Sequence, residues 1–351
     1  MLALKYFRSS IIFTIAAILV AGIVGFFYGA IWSFIFTTIT LGALEISVSF
    51  DNAVVNVRYL KKMNDESRHW FLTWGMVIAV FGMRLVLPIL IVCLAAWINP
   101  YEAVIMAFTN PEKYKSILDS VHVLIMGFGA GFLLMITLKF FFDSEKDNHW
   151  IPGLEKFASF VGRFPQVEVL IAIPIILTVG YFAPHEGQAL QLSSFGGLLM
   201  FYFINGLKEK LEENEENNLG KMILVQTTGI MIWSVLFIEI LDASFSFDGV
   251  IAAFAISSNI IIIAAGLGIG AMFVRSLTIY FVNEEIVDGL MYLENGAFVG
   301  ILWLVCAMYS SAYGHPLPEI VVAGGAVLSI GASAIHSLII KKDEEKEEAL
   351  V

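Results

Sequence analysis

Apolar runs alternate with short polar connections along almost the whole chain, and about 20 mainly apolar residues are what an α-helix needs to cross a bilayer. About ten such runs can be marked, at 10–30, 33–57, 70–98, 117–142, 167–183, 190–206, 224–256, 259–282, 286–310 and 319–340. Polar punctuation falls at Lys61 to His69, Pro100 to Lys115, Asp143 to Pro165, Pro184 to Gln188, Lys208 to Lys221 and Ser310 to Pro318, and Ser257-Ser258-Asn259 marks a tight reversal. The pattern predicts an all-α fold, a polytopic membrane helix bundle of about ten spans.

Composition agrees. The 351 residues are 58% hydrophobic and only 15% charged, where a soluble domain carries about 25%. The formal charge of −11 sits largely in acidic runs at 209–216 and 343–348, so it is not a field for basic partners, and no basic groove for nucleic acid is present. Cys93 and Cys306 lie in apolar runs, which favours core packing over a disulfide or a thiolate metal site. Lys5 and Arg8 precede an apolar run too long for a signal peptide and without a clear cleavage site, so that run reads as a first membrane helix.

Basic residues are retained in cytoplasmic loops. With the N-terminus inside, Lys5, Arg8, Arg58, Lys61, Lys62, Arg68, Lys146, Lys156, Arg163, Lys208, Lys210, Lys221, Lys341, Lys342 and Lys346 fall on the inner side, and Lys113 and Lys115 on the outer. The expected location is the plasma membrane of the cell, multi-pass, with both termini cytoplasmic.

Two stretches repeat. Glu45-Ile46-Ser47-Val48-Ser49-Phe50-Asp51-Asn52 is matched 197 positions later by Asp242-Ala243-Ser244-Phe245-Ser246-Phe247-Asp248-Gly249. Gly75 to Arg84 aligns with Gly266 to Arg275, and Asp119, Gly127 and Gly131 with Asp288, Gly296 and Gly300. The repeat is three helices long, and the count of crossings between the copies is odd, so they run in opposite directions. That is the inverted-repeat plan of secondary transporters, whose ligand sits near mid-membrane at the repeat interface. The organisation predicted is an N-terminal membrane helix (1–32), a first repeat (33–142), a connecting segment with two membrane helices (143–223), a second repeat (224–310), and a last membrane helix with an acidic tail (311–351).

Ionisable groups inside a membrane cost about 2.5–3.5 kcal/mol each on insertion scales and mark ion pathways or internal pairs. Glu45, Asp51, Asp242 and Asp248 are the group to explain. At helical spacing Glu45, Ser49 and Asn52 share one face, and Ser47 and Asp51 another; such a helix is either surrounded by protein or breaks near Phe50-Asp51-Asn52. Carboxylates, the Asn52 amide and serine hydroxyls are all oxygen donors, which suit hard cations such as Mg²⁺, Ca²⁺ or Mn²⁺. Acids facing one another also need positive charge, supplied by a metal or by protons, so a site exchanging metal for protons is expected. Secondary candidates for metal or proton relay are Ser49, Ser246, Glu239, His122 and Glu294, with Arg84 and Arg275 as charge partners. The bland readings are salt bridges between arginines and acids, with Glu294 paired to Arg275, serines bonded to helix carbonyls, and glycine runs at 127–131 and 266–270 that merely let helices approach.

At Glu45-Ile-Ser-Val-Ser-Phe-Asp51-Asn52, and in the Arg84 span with its upstream glycines, the sequence resembles the TerC family of integral membrane proteins, named for tellurium resistance. The likeness covers 33–142 and 224–340, with spans five and six and the loop 143–165 longer than that family's core, as in a divergent branch. The resemblance implies metal-ion transport, Mn²⁺ efflux foremost, with Glu45, Asp51, Asn52, Asp242 and Asp248 as motif positions. The expected function is therefore export of a divalent cation, Mn²⁺ before others, coupled to protons, the metal being substrate and no cofactor permanently bound. The alternative is a non-transporting membrane scaffold in metal or tellurite stress resistance. No enzyme is expected: two membrane aspartates can form a catalytic dyad, but the Gly-x-Gly-Asp element of intramembrane proteases is missing.

Overall fold

The computed structural model describes residues 2–61, 86–144, 146, 148–184, 186–217, 259–284 and 290–348, with isolated positions in 63–82 and 238–257. Every regular element among them is helical: α1 Leu2–Phe27, α2 Ile31–Val48, α3 Phe50–Lys61, α4 Leu87–Ala96, α5 Pro100–Thr109, α6 Pro111–Ser120, α7 His122–Phe141, α8 Pro152–Val161, α9 Val167–Phe182, α10 Gly187–Asn217, α11 Ile260–Asn283, α12 Leu293–Ala312 and α13 Glu319–Glu348. Five of these hold stretches long and apolar enough to cross a membrane, in α1, α7, α11, α12 and α13, and shorter apolar helices cover Ile31–Ile46 and Val167–Phe182. Much of the first half of the expected span at 70–98, and most of the one at 224–256, lies outside the described residues.

Side chains that water would reject line the outside of the bundle. Ile12, Ile15, Leu19 and Ile23 of α1, Leu170 and Leu177 of α9, and Leu328, Ile335 and Leu338 of α13 are exposed. Apolar surface on this scale, on apolar helices of which α1 and α13 are long enough to cross a membrane, fits contact with lipid. The polar connection that starts at Pro100 is itself helical, in two pieces. Asn99 caps α5 by accepting the Glu102 N–H at 2.9 Å, and Asn110 caps α6 by accepting the Lys113 N–H at 3.1 Å. In both cases proline follows the cap, where its missing N–H costs no hydrogen bond.

Small residues set which helices touch. A β-carbon at Gly127 would lie 2.1 Å from Ser193 Oγ and one at Gly131 2.1 Å from the Ser194 carbonyl, so α7 packs against α10 backbone to backbone, the two running parallel. The glycines matched to them in sequence bring α12 close to α13, here antiparallel: Gly296 faces Ser333 and Ser329, and Gly300 faces Ala326. The helices α7 and α12 lie side by side and antiparallel, with His122 Nε2 3.3 Å from Ser311 Oγ at one end and Phe140 stacked on Phe298 at the other. Between those ends Phe132, Leu133 and Ile301 are fully buried. On the other side of the bundle α11 is flanked by α2, running parallel, and by α1, running antiparallel. Ser10 of α1 donates to the Met272 carbonyl at 2.5 Å and lies 2.6 Å from Ser276 Oγ.

Candidate functional site: the seam between α2–α3 and α11

The second apolar run is helical in two pieces, α2 and α3, that meet at Ser49. Ser49 still donates its N–H to the Glu45 carbonyl at 2.9 Å, but at φ −96° and ψ 12° it sits in the bridge region rather than the helical one, and α3 restarts at Phe50. The break falls one residue ahead of the expected Phe50-Asp51-Asn52. Glu45 and Ser49 do share a face: the Ser49 hydroxyl donates to Glu45 Oε1 at 2.9 Å. Glu45 is 3% exposed and Ser49 1%.

Glycines on α11 close this face. Gly266 lies under Leu41 and the Thr38 carbonyl, and a β-carbon at Gly270 would sit 2.3 Å from both Cβ and Cγ of Glu45. The glycine run at 266–270 therefore does let two helices approach, and what it admits is the acidic side chain. A buried carboxylate with a hydroxyl oxygen one turn away is a pair of hard donors, able to hold a proton or to ligate a hard cation.

The backbone of Asp51 and Asn52 belongs to α3, while their side chains lie outside the described residues, as do Asp242, Asp248, Ser246, Glu239 and Arg84. Among the described residues no three His, Cys, Asp or Glu side chains come together as a metal cage. Arg275 is partly buried on α11, about one and a half helical turns beyond Gly270.

His122 and Glu294, three places apart when the two stretches are aligned, are not neighbours. His122 meets Ser311 at one end of the α7–α12 pair. Glu294 sits at the other end, where Arg58 of α3 binds it at 2.5 Å. The reason is geometric: equivalent positions on two antiparallel helices fall at opposite ends. Glu294 thus has Arg58 as its ion-pair partner. Cys93 is buried, as expected of a packed thiol, and Cys306 is exposed on α12.

The Arg58 end holds an ionic cluster that the periodicity did not announce. The Arg58 guanidinium lies 4.6 Å from the Phe140 ring centroid and 5.2 Å from that of Phe298. Beside it Lys146 contacts Glu155 Oε2 at 2.5 Å, and the same oxygen accepts from Asn295 Nδ2 at 2.7 Å. The Ile151 N–H donates to Glu155 Oε1 at 3.0 Å. Burial pushes the Lys146 ammonium below its ordinary pKa, with the Glu155 carboxylate pulling it part of the way back. Charge-assisted bonds saturate the Glu155 carboxylate.

Two further polar residues of α2 and α3 escaped the sequence reading. Asn56 is 3% exposed and Thr38 0%, and neither Asn56 Oδ1 nor Thr38 Oγ1 has a hydrogen-bond partner among the described residues. Spacing held the signal. Positions 38, 45, 49, 52 and 56 recur every third, fourth or seventh residue, which is one helical face.

A bundle of apolar helices with exposed apolar flanks and a carboxylate sealed inside defines a multi-pass membrane protein. The chain belongs to the DUF475 family, described as proteins of unknown function, matched over residues 50–344; Asp51 and Asn52 lie within the match and Glu45 just before it. Over 216 residues, 62% of this chain and 78% of the relative, it is 28% identical to the uncharacterized membrane protein YceF of Bacillus subtilis (strain 168). No solved structure matches the chain.

Proposed function

We propose that this protein is a secondary transporter that exports a divalent cation, Mn²⁺ before Ca²⁺ or Mg²⁺, in exchange for protons. The observation that carries the reading is Glu45: a carboxylate 3% exposed, inside a seam between membrane helices, beside a break in its own helix at Ser49. Burying an ionisable group there is costly, and such groups mark ion and proton pathways. Interrupted helices at a binding site are a recurrent feature of transporters. The matched acids Asp51, Asp242 and Asp248, with Asn52, complete the oxygen set in this reading. The resemblance to the TerC family supports Mn²⁺ as the substrate.

The inverted repeat belongs to the same proposal. It draws support from the antiparallel course of α7 and α12, the fourth and ninth of the ten proposed spans, which the matched Gly127/Gly131 and Gly296/Gly300 identify as equivalent. In this reading both termini face the cytoplasm of a plasma-membrane protein, and Arg84 and Arg275 compensate the acids when no metal is bound. Ser246, Glu239 and His122 remain proton-relay candidates.

The test is Mn²⁺ flux into proteoliposomes holding the full-length protein, with Mg²⁺ and Ca²⁺ in parallel and an imposed pH gradient. Glu45→Gln, which keeps the shape and removes the charge, abolishes flux; undiminished flux in that variant sinks the proposal.

The second reading is a non-transporting scaffold in metal or tellurite stress, and the paired charges Arg58–Glu294 and Lys146–Glu155 are what favour it. A scaffold with neutralised charges binds no Mn²⁺, so metal titration of the purified protein separates the two.

A further inference from the structure

The transport reading leaves unexplained why two buried oxygens of α2 and α3 have no hydrogen-bond partner among the described residues. Leaving a buried acceptor unmade costs about 1–3 kcal/mol, and inside a membrane no bulk water relieves the cost. Thr38 and Asn56 stand on the face that carries Glu45 and Ser49, Thr38 seven residues before Glu45 and Asn56 seven after Ser49. At 1.5 Å per residue Thr38 stands about 10 Å to one side of Glu45 along α2, and Asn56 lies in α3 on the other side, beyond the break at Ser49. A column of oxygens thus runs along α2 and α3, with the carboxylate near its middle. The α2 half of this column packs against α11, where Gly266 lies against Leu41 and the Thr38 carbonyl and Gly270 against Glu45.

We propose that this column is the track along which the cation moves, with Thr38 Oγ1 and Asn56 Oδ1 as ligands on either side of the Glu45 site. The inference rests on the transport reading and extends it. An amide or hydroxyl oxygen left unpaired in the protein is matched by a passing hard cation, which exchanges water for protein oxygens as it moves. Neutral donors flanking a charged one suit passage, because an ion must be held weakly enough to leave. Arg58, two residues beyond Asn56, pairs with Glu294 and so presents a compensated charge at the end of the track.

A structural role and a ligand role for Asn56 predict opposite results. Asn56→Leu removes a buried amide whose oxygen has no partner among the described residues and replaces it with an apolar side chain of similar size, so the folded protein holds or gains stability. If Asn56 is a ligand, Mn²⁺ flux in proteoliposomes falls about tenfold, the scale of one lost oxygen contact. Asn56→Ala, read alongside, gives the same loss without adding bulk, and Asn56→Asp restores flux with a lower KM. Unchanged flux and KM in Asn56→Leu and Asn56→Ala, while Glu45→Gln is inactive, overturn the track and leave the transport reading standing. Flux surviving in Glu45→Gln overturns the transport reading itself.

A different observation carries a second proposal. In α8 one face is docked through the buried Glu155 and Ala158, with the Ser159 hydroxyl donating to the Asp143 carbonyl at 3.0 Å. The opposite face, Leu154, Phe157 and Phe160, continued by Ile151 and Phe164, is exposed, Leu154 at 66% and Phe157 at 65%. Lys156 and Arg163 are exposed beside it. The helix starts 11 residues after α7 ends and finishes 6 before α9 begins, so both of its ends are tied to membrane helices. We infer that α8 lies in the membrane interface, its aromatic face in the acyl boundary and its basic residues on anionic headgroups, the arrangement of interfacial amphipathic helices.

Nitroxide labels at Leu154→Cys, Phe157→Cys and Lys156→Cys, in a Cys306→Ser background, test this in vesicles of phosphatidylcholine with anionic phosphatidylglycerol. Labels at 154 and 157 are reached by oxygen and shielded from a water-soluble nickel reagent, giving a ratio severalfold above that at 156. Labels at all three positions open to nickel place the face in water. Labels at 154 and 157 shielded from both reagents place it under protein. Either result overturns the proposal.

Discussion

Phe140 of α7 lies flat on Phe298 of α12, ring centroids 3.8 Å apart and planes 4° from parallel. Face-to-face rings oppose their negative faces and gain by offsetting, and here Arg58 near both rings and Lys146 at 4.0 Å from Phe140 draw on that negative charge. Phe298→Ala removes a fully buried ring and costs about 3–5 kcal/mol, seen as a lower unfolding midpoint in detergent. A Phe140→Ala and Phe298→Ala cycle gives a coupling of about 0.5–1.5 kcal/mol. Strict additivity of the two losses shows that the rings do not hold α7 to α12.

Lys146 and Glu155 form a pair with little access to water, side chains 8% and 1% exposed. Removing one partner of such a pair costs about 3–5 kcal/mol because the other charge stays buried. Lys146→Met is therefore strongly destabilising, while Lys146→Met with Glu155→Gln, whose amide no longer needs a cation, recovers most of the loss. Alkali gives the sign independently. The folded-state pKa of Lys146 is lowered from its ordinary 10.5 by burial, so between the depressed value and 10.5 the unfolded chain holds the proton that the folded chain has released. Stability contributed by this group rises with pH across that window, and the rise is absent in Lys146→Met.

Glycine positions separate close contact from open space. At Gly131 a methyl group would lie 2.1 Å from the Ser194 carbonyl oxygen, whereas at Gly206 nothing lies within 4 Å. Gly131→Ala forces α7 and α10 apart and destabilises by about 1–3 kcal/mol. Gly206→Ala, with no such contact, stabilises by about 0.4–1 kcal/mol through the unfolded chain. Gly270→Ala acts on the seam, since its methyl displaces Glu45, and Mn²⁺ flux falls with it. Equal thermal shifts for Gly131→Ala and Gly206→Ala discredit the contacts assigned to these helices.

Hydrophobic length made α1, α9, α11 and α13 legible in the sequence, and the glycine runs at 127–131 and 266–270 foretold two close helix contacts. The Glu45–Ser49 face followed from period alone. The helix starts at Asn99-Pro100 and Asn110-Pro111 were passed over inside what read as a polar connection, although each carries a local cap signal. The Arg58–Glu294 pair joins residues 236 positions apart, and no local pattern encodes which of several arginines an acid meets in three dimensions. Asn56 went unnoticed for another reason: one amide in an apolar run acquires meaning only once burial and the missing partner are seen.

Sidedness supplies the last prediction. Basic residues cluster on the side assigned to the cytoplasm, which puts Lys156 and Lys341 inside and Lys113 outside, all three exposed. In intact cells, and with Cys306→Ser to remove the exposed thiol, a membrane-impermeant maleimide labels Lys113→Cys at once. It reaches Lys156→Cys and Lys341→Cys only after the membrane is opened. Seven proposed crossings separate positions 113 and 341, an odd number, and one separates 113 from 156. Labelling of 113 and 341 from the same side makes the first count even. With 156 still opposite 113, the lost or added crossing then lies beyond position 156. If it lies between the repeats they become parallel, and the acids of the two halves no longer converge by symmetry on one place in the membrane.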